Sequence, residues 1–165
     1  MSTNDDRPGC GCLSLGLVVM GVLSVLMVLA IQRMGPARDD AGVITDSGPA
    51  AVDTFQPGDC LRLGGAEERI AGTQALPCDR PHEAQVYATG YLPEGDFPTQ
   101  EQIGEAVASR CGDALEKIPA DVSVFDLSSL NPTADTWRYG RGYSCLLVVP
   151  GGGTATGDAL ISPGA

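Results

Sequence analysis

The chain has 165 residues, enough for one ordinary domain with appendages. Asp and Glu number 21 against 10 Lys and Arg, a balance that repels phosphate backbones and anionic lipid headgroups and argues against nucleic-acid binding. The 22 glycines and 12 prolines gather in linkers and turns without a period, which excludes a collagen-like chain.

Residues 1–12 form a short polar tail that carries Cys10 and Cys12. Leu13 to Ile31 follows as 19 residues without a charge, long enough to cross a bilayer as a helix. The run is apolar all round, so it has no polar face to turn toward water. Small residues at Val28-Leu29-Ala30 and Gly35-Pro36-Ala37 offer cleavage positions for a signal peptide. The run, however, exceeds the roughly 7–15 apolar residues of a signal core. An uncleaved signal anchor is the expectation. Its flanking charges barely vote on sidedness, with Arg7 and the α-amino group before the run and Arg33 and Arg38 after it. Residues 32–54, rich in Gly, Ala, Pro and Asp without periodicity, read as a flexible stalk.

Cys60, Cys78, Cys111 and Cys145 lie beyond the stalk, well separated and without a tight chelate spacing. A zinc site is therefore a weak reading. An even number in a small domain behind an anchor suggests two disulfides, which persist outside the cytoplasm. Four cysteines allow three pairings. Short loops close most easily, which favours Cys60 with Cys78 and Cys111 with Cys145. Cys10 and Cys12 then lie on the reducing side, most simply as idle thiols. From residue 39 onward, 19 acidic residues face 7 basic ones, a net charge of −12.

The folded part is expected over 55–160. Pro57-Gly58 is a turn signal, and Cys60 to Leu63 alternates as a strand does. Ile70 to Cys78 is a candidate second strand. In the next segment Ala84, Val86 and Ala88 alternate with Gln85, Tyr87 and Thr89, the pattern of a half-buried strand. One strong helix follows. Thr99 and Gln102 have capping-box spacing. Ile103, Ala106, Val107, Cys111, Ala114, Leu115 and Ile118 share one face, and Pro119 stops the helix. Residues 129–140 read as turn and irregular structure, with Trp137 over the core edge. Arg141 to Val149 is a central strand, apolar on both faces. The last 15 residues read as a flexible tail in which Leu160 docks, with 161–165 free. The sum is a small disulfide-linked α+β domain, an antiparallel sheet with one main helix packed on it, preceded by one transmembrane helix.

Several short pieces recur in a known order. They are "GDCL" at 58–61, "CDRPHEAQVYA" at 78–88, the helix bearing Cys111, "NPT" at 131–133, Trp137, "GR" at 140–141, Cys145, and "TGDAL" at 156–160. In these the domain resembles the septum formation-related domain of membrane-anchored actinobacterial proteins. The resemblance implies a link with cell division and septum building, and no defined biochemical activity.

His82 is the only histidine. As a catalytic base it needs a nucleophile and an orienting acid. Asp79 and Glu83 are near, but no serine lies in a nucleophile-elbow pattern. As a metal ligand it has only Asp79, Glu83 or Asp59 for company, a poor zinc set. The favoured reading is structural: His82 follows Pro81 in the turn that feeds the strand, and its ring donates to a backbone carbonyl. Tyr87, Tyr91, Tyr139 and Tyr143 either line a groove for glycan or peptide or pack the core and its edge. No cofactor, metal or catalytic residue is expected. The expected role is a non-enzymatic interaction module, with its N-terminus cytoplasmic and its domain outside. Its partner would be an envelope or division protein or a wall component. The alternatives are a cell-wall hydrolase or modifier using His82, and an extracytoplasmic ligand sensor.

Overall fold

The computed structural model describes residues 18–24, 27, 35–64 and 73–160. Gly35–Ala165 forms one compact unit, separate from Met1–Met34. Within the latter, 18–24 is helical and its Val18, Met20 and Leu23 are exposed. Among the described residues no helix is long and apolar enough to cross a membrane. Most of Leu13–Ile31 lies outside the described residues, as do Cys10, Cys12 and 161–165.

The main unit has a two-stranded sheet, β1 (Ala37–Arg38) with β2 (Ile44–Asp46), and a six-stranded antiparallel sheet. The larger sheet contains β3 (Gly48–Pro49), β4 (Cys60–Arg62), β5 (Gln74–Leu76), β6 (Ala84–Tyr91), β7 (Asp126–Leu130) and β8 (Gly142–Val148). Their spatial order is β3-β5-β4-β6-β8-β7. One helix, α1 (Gln100–Leu115), packs on this sheet. The fold is thus α+β with antiparallel sheets and two disulfides.

Helix α1 starts where the capping box lies. The Thr99 hydroxyl accepts from the Gln102 backbone N–H, and the Gln102 side chain accepts from the Thr99 N–H. Two of the orphan donors at the helix start are thereby satisfied. The buried face of α1 is Ile103, Val107 and Cys111, flanked by Ala106, Ala114 and Leu115. It meets Tyr143, Cys145 and Leu147 of β8, which alternate onto the same side. The Cys111–Cys145 bridge staples the helix to this strand, and Cys60–Cys78 ties β4 to the turn after β5.

The other face of the sheet carries a second core of Leu61, Ala75, Ala84, Val86 and Leu146. What covers it overturns one expectation. The segment read as a stalk over 32–54 is folded from Gly35 onward. Ile44 and Phe55 are buried in this second core, Ala50 and Val52 pack against it, and β3 pairs with β5. A sheet with two apolar faces needs two covers, and the N-terminal arm supplies the second.

One part-buried ion pair helps to pin the arm. Arg38 Nη1 and Nη2 donate to Asp59 Oδ1 and Oδ2 at 2.7 and 2.6 Å, and Arg38 also donates to the Gly42 carbonyl. Asp59, 5% exposed, further accepts the Gln56 N–H. Hydrogen bonding to Asp59 raises the already high Arg38 pKa and outweighs the desolvation that opposes it.

Three smaller differences have physical causes. Strand β6 is a central strand buried on both faces over Ala84–Tyr87, not half-buried, because β4 and β8 flank it and both sheet faces are covered. A bulge between Val86 and Ala88 breaks its alternation, so Tyr87 and Ala88 both join the helix-side core. Strand β7 occupies part of the stretch read as irregular. The C-terminal tail is docked as far as Leu160. Ala155 pairs with His82, and the Gly157 N–H donates to the Cys78 carbonyl. The Gln85 side chain joins Asp158 Oδ1 and the Ala159 N–H.

Candidate functional site

The residues around His82 form a closed structural seam. His82 is 2% exposed, its Nδ1 lies 3.0 Å from the Arg80 carbonyl, and its backbone pairs on both sides with Ala155. Pro81 is exposed in the turn before it. The carboxylates named with His82 are committed elsewhere or stand alone. Asp59 holds Arg38, and Glu83 accepts the Leu63 N–H at 2.7 Å. Among the described residues no group of three or more His, Cys, Asp or Glu converges as a metal site would require. Buried Gln85 donates to the Gly58 carbonyl as well as to Asp158, so both ends of its amide are used.

A groove of about 740 Å³ lies on the arm side of the sheet. Its floor is aliphatic, with Leu63, Leu130 and Leu146. The near wall is the 3₁₀ turn Val52–Thr54 and the residues leading into it. That turn is fixed in three ways. Thr54 bonds the Ala51 carbonyl, Ala50 donates to Thr73, and Ser144 Oγ donates to the Val52 carbonyl. Gly142 matters here: a Cβ on it would lie 3.1 Å from Asp53 Cα and Cβ, so the absent side chain lets the arm approach β8.

The far wall is the loop after β7. Asn131, Pro132 and Thr133 open it, and Thr136, Tyr139 and Gly140 complete it. Thr136 Oγ1 accepts the Thr133 N–H, while Trp137, Tyr139 and Gly140 donate to Thr133 or Thr136 carbonyls. Trp137 anchors the loop in the helix-side core. Its indole donates to the Gly95 carbonyl at 2.8 Å and meets Phe97 edge-on, with centroids 5.5 Å apart. Trp137 therefore lies in the core rather than over its edge, and holds one wall of the groove. Gln100 of α1 donates to the Pro132 carbonyl from the other side.

The groove's polar side chains are one carboxylate, one amide and several hydroxyls. Asp53 is its charged liner, exposed, and its carboxylate accepts no hydrogen bond from a described residue. The Asn131 side-chain oxygen is buried and has no hydrogen-bond partner among the described residues. Ser128, Ser129, Thr133 and Thr136 add hydroxyls. Of the four tyrosines, Tyr87 and Tyr143 are in the core, Tyr139 lines the groove, and exposed Tyr91 donates to the Asp53 carbonyl. "NPT" was legible as a motif, but the groove was not, because its near wall comes from the segment read as stalk.

No family model, curated protein or solved structure matches the chain.

Proposed function

We propose that this chain is a membrane-anchored extracytoplasmic interaction module of the cell envelope, working by recruitment rather than by catalysis. The observation that carries the reading is the groove, with a preformed aliphatic floor, walls held by hydrogen bonds, and an exposed Asp53 carboxylate that has no hydrogen-bond partner among the described residues. Such a concavity is organised to bind. The lone histidine is spent on its own turn, which leaves it no role at this site.

Two disulfides support a domain on the oxidising side. The uncharged run Leu13 to Ile31 supports an anchor, with the short tail before it in the cytoplasm. The link to septum formation rests on the sequence resemblance alone. The partner is then a division or envelope protein, or a wall component, met at the membrane face.

The test is site-specific photocrosslinking of the full-length protein in dividing cells. Probes at Ser128 and Tyr139 should yield adducts, whereas a probe at exposed Lys117 at the end of the helix should not. Equal yields at all three positions, or none at any, would refute the groove as the working surface.

A further inference from the structure

We propose that the chain pairs with a second copy of itself through the outer edge of β7, antiparallel and centred on Leu127. The inference goes beyond recruitment at the groove and does not depend on what the groove binds.

Strand β7 ends the six-stranded sheet. It pairs with β8 through all five residues, and among the described residues no other backbone pairs with it. An open edge presents backbone donors and acceptors to another strand, and natural sheets usually guard it with proline, lysine, a bulge or a very short strand. The opposite end of this sheet is guarded, because β3 has two residues and the second is Pro49. Strand β7 has none of these guards. It reads Asp126-Leu127-Ser128-Ser129-Leu130, in unbroken register with β8.

The side chains of this edge differ on its two faces. Leu127 lies opposite Leu147, which is buried in the helix-side core, so Leu127 stands on that side too. It is nonetheless 56% exposed, and Val124 in the turn before β7 is 69% exposed. Leu127 thus carries an apolar row past the last strand of the sheet. Asp126 and Ser128 alternate onto the arm side, and both are exposed.

This pattern is complementary to itself. Two identical strands paired antiparallel share a two-fold axis, so each contact is made twice. Centring the axis on Leu127 sets it against the partner's Leu127 and covers apolar surface on both copies. The same register sets Asp126 opposite the partner's Ser128, and Ser128 opposite the partner's Asp126. A hydroxyl then donates to each carboxylate, and no like charges lie opposite one another. An axis at Ser128 would set Asp126 against the partner's Leu130 and lose both matches.

The pairing is weak by construction. A five-residue strand is about 16 Å long, and its edge buries less than the roughly 1,200 Å² of a stable interface. From residue 39 onward each copy also has 19 acidic residues against 7 basic ones, so the two repel. Salt screens that repulsion and leaves the apolar and backbone contacts, so the pair tightens as salt rises.

The test uses oxidised full-length protein in uncharged detergent micelles, with a photoreactive residue at Val124 or, as control, at exposed Val43 on the arm. The Val124 probe should give an adduct of twice the chain mass, joined to 126–130 of the second copy, and the Val43 probe should give none. Its yield should rise with protein concentration, and with salt between about 0.02 and 0.3 M. Leu127→Lys sets two like charges opposite and should lower the yield at least about fivefold. Ser128→Asp sets a carboxylate against the partner's Asp126 and should also lower it, and adding Asp126→Lys should restore it. All three positions are exposed, and an unchanged unfolding temperature verifies the fold of each variant. No self-adduct from Val124, equal adducts from Val43, a yield indifferent to Leu127→Lys, or no rescue by the second substitution would overturn the proposal. So would adducts from the Val124 probe in intact cells that join other proteins and never a second copy. Association through any other part of the chain would not respond to these edge substitutions, and the groove's photocrosslinks to its own partner stand or fall separately.

Discussion

Replacing Arg38 asks whether the arm is part of the domain. Arg38 makes two short hydrogen bonds to Asp59 and one to the Gly42 carbonyl. Its side chain is 19% exposed and that of Asp59 5%. Arg38→Ala leaves a buried carboxylate with the Gln56 N–H as its remaining partner among those described. Breaking one side of a fully buried pair costs about 3–5 kcal/mol, and partial exposure of Arg38 reduces this to about 2–3 kcal/mol. For a unit of this size the loss lowers Tm by about 8–12 °C. Arg141→Ala is the internal control. Arg141 bridges Glu94 at 2.8 Å, but the Glu94 side chain is 90% exposed, so the pair contributes less than about 1 kcal/mol. The assay is thermal unfolding of oxidised full-length protein, followed by fluorescence of Trp137, the single tryptophan. A free stalk would make the two variants alike. An Arg38→Ala Tm within about 2 °C of the parent would refute the arm as the sheet's second cover.

Other consequences are equally direct. The bridges close loops of 18 and 34 residues, so removing Cys60–Cys78 should cost about 3.2 kcal/mol and removing Cys111–Cys145 about 3.8 kcal/mol by chain entropy, read from urea unfolding of the double Ala variants. His82→Ala empties a buried site and frees the Arg80 carbonyl, so it should cost about 2–3 kcal/mol. Metal content by mass spectrometry should not change, and stoichiometric metal lost in the variant would contradict the structural role. Burial raises the pKa of the Tyr87 phenol. The unfolded chain therefore loses that proton first, and stability falls as pH rises above about 10. Tyr87→Phe should flatten that fall in urea midpoints measured between about pH 9 and 11; an unchanged slope would contradict it.

The parts legible in the sequence are those with a strong local signal. Helix α1 announces itself by its Thr99–Gln102 cap and a 3.6-residue apolar stripe. Strand β8 does so by Leu146 and Val148 alternating with Tyr143, Cys145 and Leu147 on two apolar faces. The preference for short disulfide loops matches the pairing found. The arm was illegible because its strands have two or three residues each, too few for a period, and its composition is that of a linker. What holds it is long-range: the Arg38–Asp59 ion pair, the pairing of β3 with β5, and the burial of Ile44 and Phe55 against the sheet, none of which a local pattern encodes. Strand β7, "DLSSL", has two apolar residues and an exposed face, so its end, Ser129-Leu130, passed for a loop. The C-terminal turn docks through backbone pairing with His82 and the side chains of Gln85 and Asp158. None of these contributes to hydropathy. The groove inherits these blind spots, since its walls are the arm and the loop after β7.

Thiol trapping in intact cells tests the compartment and the fold together. Cells are quenched with acid, and unreduced protein is alkylated and digested for mass spectrometry. The account predicts one peptide pair joined through Cys60 and Cys78 and another through Cys111 and Cys145, with Cys10 and Cys12 alkylated. Alkylation of all six cysteines would contradict it.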